Sequence, residues 1–193
     1  MSPISRPLRN VAPLAAAATA LLLAGSATAA SYFYPFTNAT AGSTYHVGDS
    51  LTPSGSTVEF KQFQWFDGTW TATGVATVTL SAKAGGFANE LNLNNINLRV
   101  IPDTPAVYAT YKYAYFGGNV NLGVNGDLRN TNRPSDVDGD VVGGCDISVT
   151  EVPIPGSGGV RGEVDIDCPA GVVMDKFGVG GQEFFIDGVF FED

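Results

Sequence analysis

Beyond residue 30 the side chains of this chain repeat with a period of two, and no stretch of ten or more residues keeps a helical period. From Thr69 to Ser81 one face carries Trp70, Ala72, Gly74, Ala76, Val78 and Leu80, and the other is mainly Thr. That alternation is the mark of a half-buried antiparallel strand, in which successive side chains point to opposite faces. The stretch 107–116 alternates in the same way, with Tyr111, Tyr113 and Tyr115 on one side. Val120, Leu122 and Val124 follow, and then Asn125-Gly126, a strong turn signal. Charged residues are only 15% of the chain while glycine reaches 24 positions, a balance that favours strands and turns over surface helices.

Two strands change phase midway. Val58 and Phe60 give way to Phe63 and Trp65, and Leu91 and Leu93 give way to Ile96, Leu98 and Val100. Each one-residue slip reads as a β-bulge, since otherwise half of the apolar set would face water. Nine or ten short strands between Gly-, Pro-, Asn- and Asp-rich turns indicate an all-β fold. A two-sheet antiparallel β-sandwich of jelly-roll type is expected, with a closed β-barrel as the alternative. Residues 30–193 read as one domain, and its least regular part, 30–56, reads as an extended arm.

The two cysteines fix a hairpin. If the chain turns at 156–159, positions whose numbers sum to 313 face one another. Cys145 then meets Cys168, Ile147 meets Ile166 and Val149 meets Val164 on one face. The other face pairs Asp146 with Asp167, Ser148 with Asp165 and Thr150 with Glu163. One register therefore joins the sulfurs and also separates apolar from acidic side chains. A Cys145–Cys168 disulfide is the expectation, and it suits an exported protein.

Export is also what the first 29 residues suggest. Arg6 and Arg9 precede an apolar run, Leu14 to Ala24, and Ala27-Thr28-Ala29 has the small-residue pattern of signal cleavage. No later stretch approaches the roughly 18 apolar residues that a membrane helix needs. Without residues 1–29 the chain has 8 Lys and Arg against 19 Asp and Glu, a net charge of −11, and 127–193 alone carries −10. Such a balance argues against nucleic acid and anionic lipid as partners, because both need clustered cations.

Three motifs could carry chemistry. Gly48-Asp49-Ser50-Leu51 spells the nucleophile block of GDSL esterases, but a serine nucleophile needs a base held by an acid. The single histidine, His46, lies before Ser50 and none follows. Asp136, Asp138 and Asp140 alternate as calcium-loop carboxylates do, although Val141 stands where an EF-hand has glycine and Ile147 where it has glutamate. An irregular extracellular calcium site is the metal candidate, against a solvated acidic turn. Trp65, Trp70, Tyr111 and Tyr113, with Asn95 and Asn97 from an asparagine-rich stretch, are the candidates for a sugar-binding platform of rings and amides. The competing reading places the aromatics in the core, and the asparagines in turns or in polar ladders on an exposed sheet face.

The runs YHVGDS (45–50), GTWT (68–71), NELNLNNINL (89–98), GGNVNLGVNGDL (117–128) and GGQEFFIDGV (180–189) are similar, in order and spacing, to a group of uncharacterised secreted bacterial proteins. Some of that group carry a C-terminal sorting tail. The resemblance covers most of the chain after residue 29 and implies an exported β-sandwich without bringing an activity. The chain ends at Asp193 without such a tail, so anchoring by that route is not expected. The closing strand also resembles the last strand of many jelly-roll glycan-binding modules. These readings converge on a secreted, non-enzymatic binding or matrix-associated module with glycan as the ligand class. A structural subunit assembling through strand edges, by way of the aromatic segment 32–36, is the alternative, and a hydrolase comes third.

Overall fold

The structure is a computed structural model and describes residues 30–34, 36, 39–86 and 89–193. The expected signal segment, 1–29, lies outside the described residues. The chain forms two antiparallel sheets packed face to face, neither closed into a barrel. The nine-stranded sheet runs in the order β12 (Val141–Val142), β13 (Cys145–Pro153), β14 (Val160–Asp167), β9 (Tyr108–Tyr115), β16 (Phe184–Glu192), β7 (Asn89–Asn94), β6 (Val75–Leu80) and β2 (Thr44–His46). Beside β16 lies β1 (Ser31–Tyr34). The seven-stranded sheet runs β11 (Asp127–Thr131), β10 (Val120–Val124), β15 (Phe177–Gly181), β8 (Ile96–Pro102), β4 (Ser56–Gln64) and β3 (Ser50–Leu51). The short β5 (Trp70–Thr71) pairs with the end of β4. Neighbours are mostly non-consecutive and the chain passes repeatedly between sheets, as in jelly rolls. Among the described residues no helix is long and apolar enough to cross a membrane, and one 3₁₀ turn, Pro134–Val137, precedes β12.

One core lies between the sheets. Val58, Phe60, Leu98, Val100, Leu122, Val124 and Val179 enter it from the seven-stranded sheet, and Leu91, Leu93, Val164, Ile166, Phe184 and Ile186 from the other. Tyr111 and Tyr113 are buried there too, Tyr113 stacking on Phe184 with ring centres 5.5 Å apart. Aromatic pairs of this kind add to the burial of apolar area that stabilises a sandwich.

The expected hairpin is present in the expected register. Asp146 pairs with Asp167, Ile147 with Ile166, Ser148 with Asp165, Val149 with Val164 and Thr150 with Glu163. Cys145 and Cys168 are joined by a disulfide.

The two phase slips have other causes than those expected. At Asn95 the chain leaves the nine-stranded sheet after β7 and enters the seven-stranded sheet as β8, with Asn95 at φ 57°. The slip resets which side chains face the core when the strand changes sheets. In β4 the slip after Phe60 marks a change of partner, from β8 up to Gln62 to β5 from Phe63. The register shift that does occur falls in β16 between Asp187 and Phe190. The run 69–81 is two strands, β5 and β6, and it leaves Trp70 and Leu80 in solvent.

In segment 30–56, expected as an extended arm, the described strands pair with the two sheets. β1 pairs with β16, Tyr32 stacks on Phe191 at 5.0 Å, and Phe36 is buried in the core. The aromatic segment is thus used within the chain. Three of the four outermost strands, β12, β2 and β3, are only two or three residues long, a common way for sheets to avoid edge-to-edge pairing, while β11 has five.

Candidate functional site

The outer face of the seven-stranded sheet carries an open groove of about 560 Å³, within the range of ligand sites. Strand register explains its shape. One row across the sheet reads Leu128, Gly123, Gly178, Arg99, Glu59, and the next reads Asn130, Asn121, Gly180, Asn97, Lys61. The central strand β15 therefore offers glycine in both rows, and with Gly123 it leaves a trough where side chains would otherwise stand. Leu128 and Lys176 flank it on one side, and Lys61 and Arg99 on the other.

In the second row the trough is bridged. Asn97 Nδ2 donates to Asn121 Oδ1 at 3.2 Å across Gly180, whose own Cβ would fall 1.9 Å from Asn97 Oδ1. Only glycine fits beneath that bridge. Asn97 Nδ2 also donates to the Gln62 carbonyl at 2.7 Å.

The asparagines hold the hairpin that forms one end of the groove. Past Gln62 the chain leaves the β8 ladder and turns back through 65–69 into β5. Gln64 N donates to Asn121 Oδ1 at 2.8 Å, and Asn121 Nδ2 donates back to the Gln64 carbonyl at 3.0 Å. Asn130 Nδ2 donates to the Trp65 carbonyl at 2.7 Å. These amides satisfy backbone groups as a partner strand would. The turn is closed by Asp67, whose Oδ1 accepts from Thr69 N and Thr69 Oγ1, and those hydrogen bonds hold the Asp67 carboxyl below its usual range.

The expected platform residues separate. Trp70 lines the groove, half exposed. Trp65 is half-buried and packs edge-on against Phe63, anchoring the hairpin. Tyr111 and Tyr113 are 1% and 0% exposed, so their rings belong to the core and present no surface to a ligand. Asn95 makes the sheet crossing and Asn97 lines the groove; the buried Oδ1 of each lacks a hydrogen-bond partner among the described residues. Phe66, exposed at the hairpin tip, was not among the sequence candidates. The turn residues Asp67-Gly68 between Trp65 and Trp70 were the signal for it.

Beside the groove Glu59 pairs with two of its lining cations, Lys61 at 3.3 Å and Arg99. Partial burial pushes the Glu59 carboxyl up, but Arg99 and Lys61 outweigh it and hold the group below the usual range. Asp127 is paired with Arg129 at 2.7 Å.

The aspartate series does not converge. Asp136 Oδ2 accepts from Asn132 N and Arg133 N at 3.1 Å each, closing the 3₁₀ turn. Asp138 Oδ1 accepts from Val149 N at 2.8 Å, and Asp140 faces Arg129 at 3.9 Å. Among the described residues no group of three His, Cys, Asp or Glu side chains is placed to hold a metal ion. Ser50 sits exposed on β3 opposite Glu59, and Asp49 Oδ2 accepts from the backbone N–H of His46, so that block forms a turn into the strand.

No protein-family model matches this chain, and no curated protein matches it. Among solved structures it is similar to the K2 cleaved adhesin domain of Lys-gingipain, at 16% identity and a TM-score of 0.37, covering 84% of this chain and 97% of that one. At that score the likeness carries no argument about fold or function.

Proposed function

We propose that this protein is an exported, non-enzymatic binding module that takes a glycan in the trough over Gly123 and Gly178. The observation that carries the reading is a sheet face emptied at its centre by glycine and ended by the exposed indole of Trp70. An extended polar polymer can lie against such a face, with its hydroxyls near amide and charged groups and a sugar ring stacked on the indole. Leu128 adds an apolar wall. The Cys145–Cys168 disulfide supports an oxidising destination, as does the signal-like start of the chain.

A glycan array probed with the protein lacking residues 1–29 tests the reading. Binding should be specific and should weaken by about tenfold in Trp70→Ala, the loss expected from one ring contact. An array without signal, or binding indifferent to Trp70→Ala, overturns the assignment.

A further inference from the structure

Resting on that reading, we infer that the trough selects an anionic glycan, one whose sugars carry carboxylate or sulfate groups. The argument is the distribution of charge. After residue 29 the chain holds 8 Lys and Arg and 19 Asp and Glu. Three of those cations, Lys61, Arg99 and Lys176, line the groove, against one of the acids, Asp127. Asp127 is already matched by Arg129. Glu59, beside the groove, is shared by two cations, which leaves positive charge in excess there. Lys176 makes no ion pair among the described residues, and its stem lies against Gly126 at the rim. The cations come from β4, from β8 and from the entry to β15, so Lys61 and Arg99 stand on one flank of the trough and Lys176 on the other.

The opposite face of the sandwich carries acids in excess, interspersed with Lys112 and Arg161. The outer face of the nine-stranded sheet sets Asp146 beside Asp167, Asp165 beside Ser148, and Glu163 beside Thr150, with Glu192 in the row of Asp167 and Tyr108. A polyanion approaching the protein is repelled from that face and drawn to the trough. The exposed amide of Gln62 suits sugar hydroxyls, and Arg99 keeps guanidinium donors beyond those given to Glu59. A neutral glycan would gain nothing from the concentration of cations.

The test is titration calorimetry on the protein lacking residues 1–29, with polygalacturonate oligomers, dextran sulfate, neutral xylan and glucan oligomers, and single-stranded DNA. Either acidic glycan should bind at least about tenfold more tightly than the neutral ones, and weaken as salt rises from roughly 50 to 300 mM. Which of the two binds better separates carboxylate from sulfate. Lys61→Gln with Lys176→Gln, both at partly exposed positions, should weaken acidic-glycan binding by about tenfold and flatten its salt dependence, with the circular dichroism spectrum unchanged. Equal, salt-insensitive binding of neutral and acidic glycans that still depends on Trp70 overturns this inference and leaves the glycan reading standing. DNA bound as tightly as the acidic glycans overturns it too, because the groove would then read charge alone. If no glycan binds, the function proposed above falls and this inference falls with it.

Discussion

The hydroxyl of Tyr113 donates to Glu151 Oε1 at 2.7 Å across an intervening strand. Tyr113 on β9, Gly162 on β14 and Glu151 on β13 stand in one register row. Because Gly162 has no side chain, the phenol passes beneath it, while its ring stacks on Phe184 in the core. Glu151 Oε2 in turn accepts from Arg133, the residue that opens the 3₁₀ turn. This line of contacts ties the hairpin, the central strand and the turn together.

Gly162→Ala should therefore be costly. A Cβ there would fall 1.9 Å from the Thr150 carbonyl and 2.8 Å from the Tyr113 hydroxyl. Overpacking of this kind typically costs about 1–3 kcal/mol, a drop of several degrees in Tm for a domain this size. Tyr113→Phe removes a donor from a half-buried carboxylate and should cost about 1–3 kcal/mol as well. Calorimetric melting of both variants checks the row, and an unchanged Tm for Gly162→Ala would mean that the strands are not packed this closely.

Glu151 in this row and the separate Tyr108–Asp165 pair set a pH dependence at the two ends. Burial works to raise the Glu151 carboxyl, but the Tyr113 hydroxyl, Arg133 and Ser135 outweigh it and hold the group below its ordinary 4.5. Its contribution is then present above about pH 4.5 and is lost as pH falls through the lower folded-state value. Tyr108 behaves in the opposite sense. Burial, and then its hydrogen bond to Asp165, push its phenol from 10.0 up to about 12. That contribution is full below pH 10.0 and disappears as pH climbs towards 12. Melting temperature followed against pH should fall less steeply on the acid side for Glu151→Gln, and less steeply on the alkaline side for Tyr108→Phe. Curves parallel to the unaltered protein would exclude these two groups.

The Cys145–Cys168 bridge closes a separation of 23 residues. A loop of that length corresponds to about 3 kcal/mol on the chain-entropy account. Non-reduced digests should yield one linked peptide, and reduction should lower Tm by roughly 6–12 °C. Free thiols in exported material would contradict the pairing.

What could be read from the sequence was what depends on local pattern. The 145–168 hairpin was legible because its two strands are joined by a short turn, and alternation, acid segregation and the sulfurs all demand one register. The slip at Asn95 was misread because a bulge and a change of sheet leave the same mark on a pattern of side chains. They differ only in distant partners, β6 and β16 before Asn95 but β4 and β15 after it. Alternation also gave Tyr111 and Tyr113 a common face without saying that this face was the core. The groove was hidden for a related reason. Glycine adds nothing to an alternating pattern, yet Gly178 and Gly180 lie mid-sheet, and over Gly180 the Asn97–Asn121 bridge needs the room.

Calcium gives the last prediction. In the sequence Asp136, Asp138 and Asp140 suit an oxygen shell, and the cross-strand pair Asp146–Asp167 adds repulsion that a cation would relieve. In the fold the first two of those carboxylates already serve backbone N–H groups: Asp136 closes the 3₁₀ turn, and Asp138 fastens the segment before β12 to Val149 on β13. To bind an ion they would have to give up those hydrogen bonds, each contributing about 0.5–1.5 kcal/mol net. Asp140 meanwhile faces a guanidinium. Millimolar calcium and sodium chloride of matched ionic strength should therefore shift the melting curve equally, through screening of the acidic face. Asp138→Ala should lower Tm by the same amount in either salt, since its role is a hydrogen bond. A calcium-specific rise in Tm that Asp138→Ala abolishes would show instead that the turn opens to take the ion.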